Sequence, residues 1–291
     1  MKKNILITGS TGFIGSNITN NLLLKKKVCI YDILRSKNKR NKKIKAYKKN
    51  KNYIPIFYKK FSELERKLKK IKIDIVINCA TYYTGKNDVK DIENLVQTNI
   101  IFCSIILEIL KKKIKKFINF GSMMEYSKGN NFSPKNFYAI TKYSFQKIGE
   151  FYKLHNKNIK FYNLKLYETY GENDVRKKII PTIIKKYTQN KKVKIVSKNL
   201  KMNFVHIDSL VKAIYMIIFN KIKGGEYGVK NNKFIKIQKL INSLNKKLKK
   251  KIKTQYLSLK NITNSNKKLK NLPYWNDKIN LEDFLLKKLK K

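Results

Sequence analysis

The stretch Ile5-Leu6-Ile7-Thr8-Gly9-Ser10-Thr11-Gly12-Phe13-Ile14-Gly15 decides the fold of this 291-residue chain. Its apolar run predicts a strand, its glycines predict a tight turn, and the apolar spacing over 14–24 predicts the helix that follows. A strand, a glycine turn and a helix in this order begin a βαβ unit that binds a dinucleotide. Gly9 permits the turn, Gly12 lets the backbone approach a pyrophosphate, and Gly15 lets helix and strand pack closely.

The turn, including Phe13 and Ile14, is expected to bind NAD or NADP, because the N-terminal end of the helix attracts phosphate. Asp32 is expected to end the second strand, where a carboxylate accepts hydrogen bonds from the adenosine ribose and favours NAD. Arg35 and Lys37 follow closely and could hold the 2′-phosphate of NADP. The choice between the two cofactors therefore stays open.

Strand-like runs alternate with helical patterns over the first 167 residues. The predicted strands are 4–8, 28–31, 53–58, 74–78, 117–120 and 160–166, and the predicted helices between them are 14–24, 63–70, 89–112 and 138–154. This alternation predicts an α/β fold, a doubly wound parallel sheet of the Rossmann type, over 1–167. The weaker regularity beyond predicts a smaller mixed α/β lobe for substrate over 168–291, with some segments returning to the first domain.

The formal net charge of +51 is spread along the whole chain. Together with the abundance of Ile and Asn, this spread favours a composition bias over a nucleic-acid site, although a positive field also favours anionic substrates. The three cysteines have no CxxC spacing and the two histidines form no ligand cluster, so no metal site is expected. No stretch reaches the about 18 apolar residues of a membrane span, and no signal peptide is recognisable, which predicts a cytoplasmic protein.

A candidate catalytic pair stands near the middle of the chain. Seven tyrosines have a lysine four residues later, so this spacing alone means little in a lysine-rich sequence. Only Tyr138 and Lys142 open a helix shortly after the fifth strand, which leads to Gly121-Ser122. This spacing puts both side chains on one helix face. The charge of Lys142 would then favour the ionised phenol, while Tyr138 exchanges a proton with a substrate hydroxyl or carbonyl and Ser122 hydrogen-bonds the same oxygen.

These residues make the chain resemble the extended short-chain dehydrogenase/reductases of the nucleotide-sugar epimerase/dehydratase type. The matching pieces run in the family's order over nearly the whole chain: 5–9 with the glycine turn, 75–80, Asn99, Gly121-Ser122 with Tyr126, 138–142, 164–166, Tyr170-Gly171, 204–208 and 275–284. The resemblance places Ala80 and Asn99 at the cofactor, with Asn99 also supporting the active-site helix. It implies a nucleotide-sugar substrate, and it leaves open a homodimer built on paired long helices.

The departures from the family narrow the reaction. The 4,6-dehydratases carry Asp-Glu directly after the catalytic Ser or Thr, whereas Met123 and Met124 stand here and neither transfers a proton. The sequence most resembles the reductases that make CDP-3,6-dideoxyhexoses such as abequose and paratose. The predicted reaction is therefore the reduction of a 4-keto-6-deoxysugar nucleotide by NAD(P)H. An NAD-dependent C4 epimerase would use the same residues, and a non-catalytic relative that binds NAD(P) or RNA is a third hypothesis.

Overall fold

The computed structural model describes residues 2–25, 27–36, 41–86, 88–129, 131–257 and 269–290. The chain forms two compact units. Unit 1 consists of Met1–Glu125, Pro134–Lys165 and Ile214–Tyr227, and unit 2 consists of Tyr126–Ser133, Leu166–Ala213 and Gly228–Lys291. The chain therefore enters and leaves unit 1 more than once.

Strands and helices alternate through unit 1 and mix in unit 2. The strands are β1 Lys3–Thr8, β2 Val28–Arg35, β3 Tyr53–Tyr58, β4 Ile75–Asn78, β5 Lys116–Ser122, β6 Lys160–Leu166, β7 Glu168–Tyr170, β8 Val193–Ile195, β9 Lys201–Met202, β10 Phe204–His206, β11 Gly225–Val229, β12 Ile235–Lys236 and β13 Thr254–Tyr256. The helices are α1 Phe13–Leu23, α2 Lys42–Tyr47, α3 Phe61–Lys69, α4 Val89–Val96, α5 Phe102–Leu110, α6 Phe137–His155, α7 Ile179–Thr188, α8 Ile207–Phe219, α9 Ile237–Lys247 and α10 Leu281–Leu289. A π-helical turn, Gln97–Ile101, joins α4 to α5, and a 3-10 turn, Met123–Glu125, follows β5.

In the described part of the chain, seven strands form one sheet in the order β11-β6-β5-β4-β1-β2-β3. The pairs β1·β2, β2·β3, β1·β4 and β4·β5 are parallel. The strand order reverses between β1 and β4, and ligands of open α/β sheets bind beyond the carboxyl ends of the strands at such a point. The predicted Rossmann fold is thereby confirmed, with β1 and β4 flanking the expected ligand position.

The core of unit 1 holds these strand ends in place. Ile5, Leu6 and Ile7 of β1 have no exposed surface, as expected for a strand that helices cover on both faces. One hydrophobic cluster joins the sheet to the helices: Leu6, Val76 and Phe117 from strands, Leu64 and Leu68 from α3, Ile106 and Leu107 from α5, and Phe145 from α6. The residues that follow β1, β4 and β5 therefore start from fixed positions.

Unit 2 has a core of its own. Within its described residues, β7 pairs with β10 and β8 with β13 in parallel, and β9 pairs with β12 in antiparallel. Its hydrophobic cluster draws on α7, α9 and α10, with Ile183, Leu240, Ile241 and Leu285 among the buried members. This mixed α/β arrangement matches the smaller C-terminal lobe that the sequence predicts.

In the lysine-rich segment 246–253, the spacing of Leu248 and Ile252 predicts a solvated helix face, but the structure has an extended segment there. Helix α9 ends at Lys247, and Leu248 has an extended backbone (φ −104°, ψ 138°). Leu248 and Ile252 are buried in the core of unit 2, and the Ile252 N–H donates to the Asn245 side chain at 2.7 Å. The two apolar residues anchor an extended segment instead.

The helical stretch Val89–Leu110 could cross a membrane by length and composition alone. Charged residues such as Lys90, Asp91 and Glu93 interrupt it, so it does not conflict with the expectation that no run of about 18 apolar residues occurs. Phe102, Ile106 and Leu107 of this stretch pack in the core of unit 1. The α5 half of the stretch is therefore part of the core of unit 1.

Candidate active site

The glycine turn closes tightly on itself and on β4. Gly9 has φ +69°, and a Cβ there would lie 2.6 Å from the Ala80 nitrogen. A Cβ on Gly15 would lie 2.2 Å from the Gly9 oxygen, so the close approach of helix and strand excludes any side chain. A Cβ on Gly12 would meet only the Gly9 oxygen, at 3.4 Å. Packing within the protein therefore requires glycine at positions 9 and 15, whereas space for a ligand remains beside Gly12.

Ala80 lies where the sequence places it, directly beyond β4 and against the glycine turn. Its N–H donates to the Thr8 hydroxyl at 3.0 Å, and that hydroxyl donates to Asn78 at 2.8 Å. These bonds tie the end of β4 to the end of β1 at the point where the strand order reverses. Phe13 and Ile14 begin α1, whose N-cap residue Gly12 provides no side-chain cap to the first N–H groups.

Asp32 corrects the predicted strand boundary. Strand β2 continues through Ile33 and Leu34 to Arg35, so Asp32 lies inside the strand rather than at its end, and it is fully buried. Its Oδ2 accepts hydrogen bonds from the Ser10 hydroxyl, at 2.5 Å, and from the Tyr53 hydroxyl. Burial raises the pKa of Asp32 to about 6, against the opposing effect of these two hydroxyls.

The second oxygen of Asp32 has no hydrogen-bond partner among the described residues. A buried carboxylate oxygen in this state favours a ligand group that can donate a hydrogen bond. With the space beside Gly12 and the uncapped start of α1, the residues present fit the ribose and pyrophosphate of a dinucleotide.

Two cations lie near the cofactor end of the site. Arg35 is the exposed last residue of β2, and its guanidinium partly offsets the rise in the pKa of Tyr58 that burial causes. Lys43, on α2, donates to the Thr11 carbonyl and to the Ser16 hydroxyl, both at 3.0 Å. Sequence reasoning missed Lys43, since nothing distinguishes it from the surrounding lysines. Lys37 lies outside the described residues.

Ser122 ends β5 with its hydroxyl constrained on one side. The Met124 N–H donates to the Ser122 Oγ at 3.2 Å, and the Ser122 N–H donates to Glu125 at 2.7 Å. A serine hydroxyl has one hydrogen to donate besides the lone pairs that accept. The bond from Met124 uses one of these lone pairs and not the hydrogen, which can therefore donate to a substrate oxygen.

Tyr138 and Lys142 lie one turn apart at the start of α6. The helix begins there because the Asn136 side chain caps it, accepting from the Ala139 N–H at 3.1 Å. The ring of Tyr138 meets that of Tyr83 edge to face, with centroids 4.9 Å apart. Helix α6 packs against β5 and against the turn that follows it. Just before the helix, the Lys135 N–H donates to the Met124 carbonyl at 2.9 Å, which brings the start of α6 near the Ser122 end of β5.

Lys142 is almost completely buried. Burial lowers its pKa, and the nearby Cys103 and Glu125 oppose that effect. Burial also raises the pKa of Cys79 and of Cys103, which favours neutral thiols beside the lysine. Glu125 and Lys165 carry opposite charges near Lys142, and their effects on its pKa oppose each other.

Asn99 is fully buried in the π-helical turn and is bound to protein groups on both sides. Its Oδ1 accepts from the Tyr82 N–H at 2.9 Å, and its Nδ2 donates to the Tyr82 carbonyl and to the Thr141 hydroxyl, each at 3.0 Å. Thr141 donates in turn to the Tyr138 carbonyl at 2.8 Å. Asn99 thus holds α6 between Tyr138 and Lys142, and a direct contact with the cofactor stays a prediction.

Several side chains of the site escaped sequence reasoning because their partners are distant in the chain. Glu125 is ion-paired with Lys165, forty positions away, and both side chains are fully buried. The detectable signal is a charged residue in an apolar strand, as in Asn163-Leu164-Lys165-Leu166, since charged residues are rarely buried unless paired. Among the described residues, no group of three or more His, Cys, Asp or Glu side chains could hold a metal ion.

The arrangement of a glycine turn at the sheet reversal, a serine ending β5 and a tyrosine–lysine pair opening α6 agrees with a match to a known family. The model of the NAD-dependent epimerase/dehydratase family matches residues 5–231. The chain belongs to this family. The resemblance seen in the sequence is therefore confirmed.

Two relatives of this chain are both named CDP-abequose synthase. The CDP-abequose synthase of Yersinia pseudotuberculosis is 32% identical over 216 residues, covering 74% of this chain and 72% of the relative. The CDP-abequose synthase of Salmonella muenchen is 26% identical over 261 residues, covering 88% and 84%. These similarities extend over most of both chains, so they concern the whole fold rather than the cofactor half alone.

Solved structures of the epimerase/dehydratase family have the same fold. The UDP-glucuronic acid 4-epimerase of Bacillus cereus, solved with UDP-glucuronic acid and NAD, superposes with a TM-score of 0.82 at 21% identity and covers 99% of each chain. The UDP-glucose 4-epimerase of Thermotoga maritima, solved with UDP-glucose, gives 0.78 at 20% identity, covering 99% of this chain and 97% of that one. At this identity the superposition establishes the fold.

Proposed function

We propose that the protein is an NAD(P)-dependent reductase of a 4-keto-6-deoxysugar nucleotide. The observation that carries the proposal is the joint placement of Ser122 at the end of β5 and of Tyr138 and Lys142 at the start of α6, in the unit that contains the glycine turn. The similarity to two CDP-abequose synthases supports a reductase within the family.

The nicotinamide cofactor, when bound, supplies the hydride that adds to the ketone carbon. Ser122 would hold the ketone oxygen with its hydroxyl hydrogen, which the bond accepted from the Met124 N–H does not use. Tyr138 would donate the proton that completes the alcohol, and the positive charge of Lys142 would stabilise the phenolate left behind. Each residue thus has one task at the same oxygen.

The residues after Ser122 support reduction over elimination of water. Met123 is buried and, like Met124, has no proton to transfer. Glu125 is the first acid in this segment, but it is buried, ion-paired with Lys165 and hydrogen-bonded to the Ser122 N–H. It is therefore engaged with the protein and does not replace the missing acid of a 4,6-dehydratase.

The proposal is tested by incubating the purified protein with CDP-, dTDP-, GDP- and UDP-linked 4-keto-6-deoxysugars and following the absorbance of NADPH or NADH. We expect turnover with one of them, and a loss of about 10²- to 10⁴-fold in kcat for Tyr138→Phe. The matched control is Tyr143→Phe on the same helix, which also has a lysine four residues later, Lys147. Equal activity of the two variants would overturn the assignment of Tyr138.

A C4 epimerase is the second candidate, because solved 4-epimerases share the fold over the full chain. Such an enzyme would reduce and reoxidise a tightly held NAD within one turnover. It would keep NAD through dialysis and interconvert epimers without added nicotinamide. Stoichiometric consumption of reduced nicotinamide by a 4-keto sugar excludes that alternative.

We also propose a cytoplasmic homodimer. Cytoplasmic thiols are kept reduced, and the three cysteines, Cys29, Cys79 and Cys103, are free. Phe151 and Leu154 on α6 are large apolar side chains that are 54% and 76% exposed. These side chains support a second copy as the partner of this helix.

A further inference from the structure

A buried ion pair lies beneath the residues assigned to the reaction. Glu125, in the turn after β5, pairs with Lys165 near the end of β6, and neither side chain has exposed surface. Lys165 also donates to Gln146 on α6 at 2.5 Å and lies 3.2 Å from the Glu226 carboxylate. Burial raises the pKa of Glu125, and Lys165 opposes that effect.

The backbone of Ser122 and of the residue before it contacts this ion pair. One oxygen of Glu125 faces Lys165, and the other accepts the Ser122 N–H at 2.7 Å. At the preceding residue, Gly121, a Cβ would lie 2.9 Å from the Lys165 Cδ and 3.1 Å from the Glu125 Oε1. The strand end therefore has no room to move toward the pair, and the hydrogen bond keeps it from moving away.

Stability alone is a weak reason for such a pair. Two charges taken out of water lose hydration, and their mutual attraction often offsets this loss only in part. Replacing a buried ion pair by well-packed apolar side chains often leaves the stability of a protein unchanged or raises it. This pair is distinguished by the hydrogen bond that Glu125 accepts from the Ser122 backbone N–H. Ser122 is the residue whose hydroxyl is assigned to the substrate oxygen.

We propose that Glu125 is a positioning residue, held by Lys165, that fixes Ser122 through its backbone N–H. This inference rests on the proposed function, in which Ser122 holds the ketone oxygen. A small displacement of a group at the reacting centre is enough to lower the rate strongly. Loss of the acceptor is therefore expected to lower kcat rather than to weaken binding of the nucleotide sugar.

The experiment compares two double variants that lack both charges. Glu125→Gln with Lys165→Met keeps an acceptor for the Ser122 N–H, whereas Glu125→Met with Lys165→Met removes it. We expect the first to retain kcat within about threefold of the parent and the second to lose about tenfold to a hundredfold. KM for the nucleotide sugar should change little in either. Equal kcat values for the two folded variants would overturn the proposal.

The same comparison of kcat in a Ser122→Ala background separates an effect that acts through Ser122 from a loss of activity that has another structural cause. If Glu125 acts through Ser122, the difference between the two double variants falls to within about twofold once the hydroxyl is gone. A difference that persists undiminished would also overturn the proposal. Full activity of Ser122→Ala alone is a distinct result, because it refutes the proposed role of Ser122 and with it the basis of the inference.

Circular dichroism and thermal unfolding show whether the variant with Glu125→Met and Lys165→Met folds. If it does not fold, a milder substitution tests the proposal. Glu125→Gln alone leaves Lys165 with Gln146 and Glu226 as neighbours. The proposal then expects this folded variant to stay within about threefold of the parent in kcat when each is measured at its own pH optimum, because the lost charge also affects the pKa of Lys142. A loss as large as that of Ser122→Ala would contradict it.

Discussion

Asp32 is buried in the middle of β2 with one oxygen bound by two hydroxyls and the other unpaired. Its protonation therefore depends on the surroundings that folding creates. A carboxyl whose pKa rises on folding binds its proton more tightly in the folded state than in the unfolded state. The ionised form is the one that a ribose hydroxyl would stabilise by donating to the free oxygen.

Asp32 should make the stability of the cofactor-free protein depend on pH. Its pKa is raised from 3.8 to about 6, so its contribution to stability is present below about pH 4 and is lost as the pH rises through about 6. The loss corresponds to about 3 kcal/mol. We expect the free energy of unfolding of Asp32→Asn, relative to the parent, to increase between pH 4.5 and pH 7. A difference that does not vary with pH would contradict this.

Lys43 should contribute to cofactor binding through its charge. Its ammonium is held at the glycine turn by Thr11 and Ser16, where it can attract the phosphates of a dinucleotide. We expect Lys43→Met to raise the Kd of the cofactor about threefold to fivefold, since exposed charges act weakly, and to reduce its salt dependence. Lys45→Met, on the same short helix, is the control and should leave the Kd unchanged. Titration calorimetry measures both.

At the scale of elements, the helical stretch Val89–Leu110 shows how one irregular turn serves the site. The π-helical turn Gln97–Ile101 places Asn99 on the side that faces both the segment after β4 and helix α6. Such turns inside α-helices are frequent at functional sites. A regular helix would change the direction in which the Asn99 amide points and separate it from one of its partners.

Asn99→Leu should therefore affect both stability and activity. It leaves the Tyr82 N–H and carbonyl without their partner and frees Thr141, which we expect to lower the free energy of unfolding by about 2–4 kcal/mol. It should also lower kcat about tenfold to a hundredfold by releasing the first turns of α6. The control is Asn94→Leu on α4, a partly exposed residue whose side chain donates to the Lys90 carbonyl of the same helix. Denaturant unfolding and steady-state kinetics would show the contrast, and equal effects would refute it.

Elements with a strong local pattern could be predicted from the sequence, and those set by distant contacts could not. The strand Tyr53–Tyr58 is found with the predicted bounds because polar residues flank its apolar run, Lys51-Asn52 before it and Lys59-Lys60 after it. Strand β2 continues past the predicted end because Ser10 and Tyr53 accommodate the buried Asp32. The apolar spacing over 246–253 resembled a helix, although the anchors Leu248 and Ile252 belong to an extended segment.

The same distinction applies to the candidate site. The order of the glycine turn, Ser122 and the Tyr138–Lys142 pair could be read because each belongs to a local motif. Glu125 and Lys165 could not be paired, since nothing local links a turn after β5 to the interior of β6. Long-range pairing of buried charges is a property of the assembled sheet.

At the scale of the whole molecule, association through α6 has a direct test. The proposed homodimer buries Phe151 and Leu154, so we expect Phe151→Glu to shift the mass measured by light scattering from twice that of the chain to that of one chain. Val175→Glu is the control, since Val175 is 93% exposed and belongs to unit 2, whereas α6 belongs to unit 1. A parent protein that is monomeric at micromolar concentration would refute the proposal.

The return of residues Ile214–Tyr227 to unit 1 has a consequence for biosynthesis. Strand β11 occupies one edge of the seven-stranded sheet beside β6, and Lys116 at the start of β5 donates to the carbonyls of Ile217, Ile218 and Asn220 at the end of α8. A ribosome must therefore translate far beyond β6 before the nascent chain can complete that edge. Until then the side of β6 is an open edge to which other chains can add, so protection by chaperones matters during that interval of elongation.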